Sequence, residues 1–169
     1  MAAATAQINT PERQGKVTAY PLAAATTIFA GTLVALDSSG NAVPASDTAG
    51  LRVVGLAQET VDNSAGLAGA HSVATKVGVF QLNNSATDAV DANDKGKICF
   101  VEDDNTVSET GGTHKVKAGR VLDIAADGVW VDSNFATVVP SADTITAAAD
   151  LAALKTALLA ILQAQGLVK

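Results

Sequence analysis

Cysteine, histidine and aromatic residues are all scarce in this sequence, and each scarcity closes off a class of protein. The single cysteine, Cys99, cannot form an internal disulfide and cannot supply the usual zinc frameworks. His71 and His114 are the only histidines, too few for a histidine-based metal site without carboxylate help. Aromatics make up 4% of the chain, with one Trp and one Tyr, so the interior has to be built from small aliphatics. Basic residues are outnumbered, 11 Lys and Arg against 17 Asp and Glu, and the net charge of -6 offers no electrostatic footprint for a phosphate backbone. Nucleic acid is therefore not an expected partner. No run approaches the roughly 18 consecutive apolar residues of a membrane span, and residues 1–10 lack the basic flank and apolar stretch of a secretory signal. The expectation is a soluble chain made in a cytoplasm, with no membrane partner.

What the 169 residues do contain falls into three kinds of text. Residues 1–14 are small and polar, without periodicity, and the Thr10-Pro11 step disfavours helix. They read as an extended N-terminal arm, with Gln7, Ile8 and Arg13 as its contact-capable members. From 15 to 135 the chain turns to short apolar or alternating runs cut by Gly, Asn and Asp, the pattern of a mainly β domain. Strands are predicted at 16–20, 32–36, 52–57, 75–82, 97–102, 116–124 and 128–131, enough for a small β-barrel or sandwich. Asp37-Ser38-Ser39-Gly40-Asn41 and Asp103-Asp104-Asn105 separate apolar segments as turns. Asp127-Gly128 marks a tight hairpin whose arms should be antiparallel neighbours. Residues 60–71 and 83–94 read as loops, the second with room for a short turn of helix.

Beyond a hinge at 136–146, residues 147–169 form the third kind. Ser141 to Thr146 offer helix N-caps, 147–165 are nearly all strong helix formers, and Gly166 reads as a stop. The implied C-terminal α-helix of 19 residues would be about 28 Å long. Leu151, Leu154, Leu158 and Ile161 share one seam, widened by Leu162. At barely three heptads this helix is not stable alone. It has to pack, either on its own β-domain or against other copies.

No catalytic set emerges. Glu102-Asp103-Asp104-Asn105 has the oxygen ligands calcium takes, yet lacks the glycine and distal glutamate of a helix-loop-helix calcium site; it reads as a solvated turn. Asp88, Asp91 and Asp94 read as a loop that keeps the surface acidic. Gly111-Gly112 precedes no phosphate-binding lysine pattern, and neither histidine has a nucleophile in a known local frame. Cys99 reads as a buried small hydrophobe, and Trp130 as a core anchor. Neither a cofactor nor an enzymatic activity is expected.

The β-region does resemble a family when its phrases are taken in order. Gln14-Gly15-Lys16-Val17-Thr18-Ala19-Tyr20 is followed by the alanine-rich Ala23 to Ile28 and by Ala30-Gly31-Thr32-Leu33-Val34-Ala35-Leu36. Then come Val53-Val54-Gly55-Leu56-Ala57, Val77-Gly78-Val79-Phe80-Gln81-Leu82, and Ala118 to Leu122 with Val129-Trp130-Val131. Across roughly 14–133 this order is similar to the capsid decoration, or cement, proteins of tailed bacteriophages. Residues 63–71 are wordier than the family pattern, and the segment after Pro140 is outside its shared core.

The resemblance implies a small barrel-like domain, usually a homotrimer, seated on the virion exterior and bound to the major capsid protein after the shell expands. It implies stabilisation of the head, without an active site. In that setting the arm would add an edge strand to the capsid or a neighbour, ordering on binding. Two other readings compete. One is a trimeric fibre or adhesin module that binds a host glycan or receptor; the other is a small trimeric barrel enzyme of the nucleotide-hydrolase type.

Overall fold

In a computed structural model the structure describes residues 15–134, which hold twelve β-strands and one short 3₁₀ turn. The arm, the hinge and the C-terminal helix, with Gln7, Ile8, Arg13, Leu151, Leu154, Leu158, Ile161 and Leu162, lie outside the described residues.

The first half of the described chain is a curled five-stranded sheet. Its strands are β1 (Val17–Pro21), β3 (Leu33–Leu36), β4 (Ala42–Pro44), β5 (Arg52–Ala57) and β7 (Ser72–Lys76), in the order β1-β7-β5-β3-β4. A parallel bridge from Leu22 to Ala42 draws the outer strands towards each other. A two-stranded ribbon, β2 (Thr26–Ile28) with β6 (Val61–Asn63), accompanies this sheet. The second half is a closed barrel in the order β10-β8-β12-β11-β9. It comprises β8 (Val79–Asn84), β9 (Ile98–Val101), β10 (Thr106–Ser108), β11 (Lys117–Ala125) and β12 (Gly128–Asp132). Closure depends on a parallel β10–β8 pair, Thr106 against Asn83 and Val107 against Asn84.

The two halves share a wall. β3 is Leu-Val-Ala-Leu, and its alternation sends Leu33 and Ala35 into the core of the barrel while Val34 enters the core of the curled sheet. A strand buried on both faces has to be apolar throughout, which is why 33–36 reads as an unbroken run. Beside Leu33 and Leu82, the barrel interior is filled by Cys99, Val101, Val107, Ala118, Val121, Val129 and Val131, and all of it is aliphatic or thiol, in keeping with the shortage of aromatics. The other core holds Leu22, Ile28, Val34, Ala42, Ala57 and Val73.

Local chemistry sets the turns. Asp37 turns β3 into β4 by accepting the N–H groups of Ser39 and Asn41 at Oδ1, at 2.8 and 2.9 Å. The Asp127-Gly128 hairpin forms between antiparallel arms as expected, with Ala125 opposite Gly128. The glycine, however, sits in the first position of β12 rather than in the turn centre. A Cβ there would lie 2.5 Å from the Leu82 carbonyl oxygen, so the close approach of β8 demands the bare backbone.

Several boundaries differ from the expectation. The stretch 75–82 is two strands, broken at Val77-Gly78 where the chain leaves the curled sheet for the barrel. β2, β4, β6 and β10 are three-residue strands too short to show a period, and β6 lies within a stretch expected to be loop. The short turn of helix expected in the second loop is present at Ala92–Asp94. Asp94 contradicts the expected surface role: it is 3% exposed, closes a capping box with Asp91 and accepts the Lys97 ammonium at 2.9 Å. The Asp91 N–H, followed by Lys97, holds its carboxyl below the usual aspartate range.

Candidate functional site

The carboxylates nearest to a chemical arrangement lie where the 109–115 loop meets the body of the domain. Asp47, Asp88 and Glu102 line an open depression of about 300 Å³ with Thr87, Ser108 and the Gly111-Gly112 pair. Two of these acids are engaged in holding the loop. Asp88 accepts both the backbone N–H and the hydroxyl of Thr110 at Oδ2, each at 3.0 Å, and Asp47 accepts the His114 N–H at 2.9 Å. They stand in for backbone pairing that this irregular segment lacks. His114, expected as an exposed strand leader, is exposed but lies in this loop, ahead of β11. Among the described residues no three His, Cys, Asp or Glu side chains come together as a metal-binding group.

Cys99 is where the sequence placed it, 1% exposed within β9. Burial pushes its thiol up to about 12, so at neutral pH it stays a protonated, weakly polar packing group. At the expected acidic turn, Asp103 accepts the Asn105 N–H at 2.9 Å and the Asp104 carbonyl accepts the Leu33 N–H. Partial burial, then the neighbouring Asp103 charge, raise the Asp104 carboxyl.

The outer wall of the barrel overturns one expectation. Trp130 is not a core anchor: it is 39% exposed. Its neighbours Val129 and Val131 point inward, so alternation sends the indole outward, opposite Gln81 on β8 and Asp123 on β11. The signal was legible as parity, since Trp130 has the same parity as Asp132 in Gly128-Val129-Trp130-Val131-Asp132. Leu122 (39% exposed) and Val79 (48%) flank it on the adjacent strands. Both fall within phrases of the family resemblance, but no local pattern marks them as exposed. Leu122 faces solvent because a bulge between Val121 and Asp123 interrupts the β11–β12 register. Further apolar exposure falls at Phe29, Leu67 and Val17.

These features define a mainly β protein with a closed five-stranded barrel and an apolar patch centred on Trp130 on the barrel's outer wall. The chain matches no protein-family model, no curated protein and no solved structure.

Proposed function

We propose that this chain is a capsid decoration protein of a tailed phage, acting as a homotrimer that binds the major capsid protein on the outside of the expanded shell. The observation that carries the reading is the ordered resemblance across 14–133. Its phrases lie on β1, β3, β5, β8 and the β11–β12 hairpin, the strands that frame the two cores.

The mechanism is linkage. A protein that binds the assembled, expanded lattice and not its dissociated subunits lowers the free energy of the assembled state by mass action. Repetition over equivalent sites allows each contact to be modest. In this reading the arm, through Gln7, Ile8 and Arg13, supplies strand addition to a neighbour, and the seam of Leu151, Leu154, Leu158, Ile161 and Leu162 supplies helix packing. Purified protein mixed with expanded, undecorated phage shells is expected to appear as knobs at regular positions by electron microscopy. Shells that remain bare refute the proposal. Light scattering after deletion of 141–169 tests the seam: loss of the trimer supports it, and an unchanged oligomer rejects it.

The outward indole of Trp130 gives a fibre or adhesin module a specific argument, because exposed aromatics serve as sugar platforms. Reproducible binding on a glycan array would favour that reading over the shell.

A further inference from the structure

The strand register places three exposed apolar side chains side by side on the barrel wall. Trp130 on β12 is directly opposite Gln81, and Val79 is two residues along β8, the diagonal neighbour. On the other side Trp130 pairs with Asp123, and Leu122 bulges out next to it. Charged and polar groups surround this apolar centre. Lys95 bonds Asp123 at 2.6 Å, Arg120 meets Asp132 at 3.9 Å, and the Gln81 side-chain amide donates to Asp127 at 2.6 Å. A central tryptophan with aliphatic flanks inside a polar, charged rim is the anatomy of a protein-binding hot spot.

Charge identifies the occupant. Eight basic and fourteen acidic residues fall within 15–134, so the whole net charge of -6 belongs to the domain that carries the patch. Three of the five charged groups on the rim are acidic. A second copy would bring the same acidic domain against it, whereas a basic surface would be drawn to it. The patch also occupies the outside of a closed barrel rather than a groove, and its flanks are aliphatic.

From this we infer that Trp130, Leu122 and Val79 form the face that docks on the capsid wall, entering an apolar recess bordered by lysine or arginine. The inference rests on the decoration reading and gives it a surface. Because Trp130 is the sole tryptophan, its emission reports directly on that contact.

The test uses the full-length chain and the same expanded shells. The free protein is expected to show the emission of a partly solvated indole. Binding to shells should shift it to the blue and shield it from acrylamide. Trp130→Ala should weaken binding at least about 30-fold, the loss expected when a hot-spot tryptophan is truncated. Leu122→Ala should weaken it less, Leu67→Ala not at all, and added salt should weaken the wild type. Circular dichroism confirms that each variant is folded.

If the wild type decorates shells and Trp130→Ala decorates them equally well, this inference fails while the decoration reading stands. Wild-type protein that leaves the shells bare overturns both. An emission already blue in the free protein, one that shifts with protein concentration, or one that shifts with a glycan would each assign the patch to another occupant and overturn the inference.

Discussion

Gly119 offers a direct test of how tightly the barrel is closed. It lies in β11 opposite Cys99 of β9, and a Cβ built there would sit 2.5 Å from the Asp132 carbonyl oxygen and 2.6 Å from Val131 Cγ1. Neither neighbour can retreat easily, since one is backbone of β12 and the other a fully packed side chain of the barrel core. Gly119→Ala therefore has to push β11 and β12 apart, an overpacking cost of about 1–3 kcal/mol. Gly15 is the matched control, with nothing within 4 Å of its Cβ position and no left-handed φ. Both substitutions remove the same backbone freedom from the unfolded chain, worth about 0.4–1 kcal/mol in favour of alanine. The difference between them isolates the steric term. In urea melts, with an m-value of about 1–3 kcal/mol/M, the Gly119→Ala midpoint should fall below that of Gly15→Ala by ~1 M at unchanged m. Equal midpoints would show that β11 and β12 are not packed this closely and would refute the argument.

Alkaline pH should single out Cys99. The buried thiol titrates near 12 when folded and near 9 when unfolded, so the unfolded state gives up its proton first. Its contribution is fully present below pH 9 and is lost as pH rises towards 12. By pH 10.5 the wild type should have lost about 2 kcal/mol relative to Cys99→Ala, measured as the difference between their urea-melt stabilities at pH 8 and pH 10.5. A constant difference would place the thiol in contact with water. Leu22→Ala removes a fully buried side chain from the smaller core and should cost about 2–5 kcal/mol. Because β3 serves both cores, the loss should appear equally in Tyr20 fluorescence, which reports on the curled sheet, and in Trp130 fluorescence, which reports on the barrel. Separate transitions would show that the halves unfold independently.

The sequence made the mainly β class legible through alternation and turn chemistry, and the Asp37 turn and the Asp127-Gly128 hairpin both lie where these signals point. It concealed the split between the two halves. Nothing local in 75–82 reveals that Thr75 belongs to one sheet and Leu82 to a barrel, because that depends on long-range pairing with β1 and β12. The three-residue strands escaped because two or three paired residues carry no period, and Val-Asp-Asn in β6 has a loop's composition. Asp94 was misread because spacing by three shows a common face but not the Lys97 ammonium and Asp91 N–H that allow a carboxylate to be buried. For Trp130, the habit of placing large aromatics inside outweighed a parity that pointed outward. Alternation with the inward Val129 and Val131 leaves the indole on the wall.

The closed barrel presents no open strand edge, and the Leu22–Ala42 bridge ties the end of β1 to β4, the two outer strands of the curled sheet. Open margins template strand-to-strand aggregation, and crowding makes that hazard worse. A barrel without open edges can accumulate beside many copies of itself without its own strands being stitched to theirs through the main chain. On that wall selectivity rests with side chains, and substitutions there can retune what the barrel meets without disturbing how it folds.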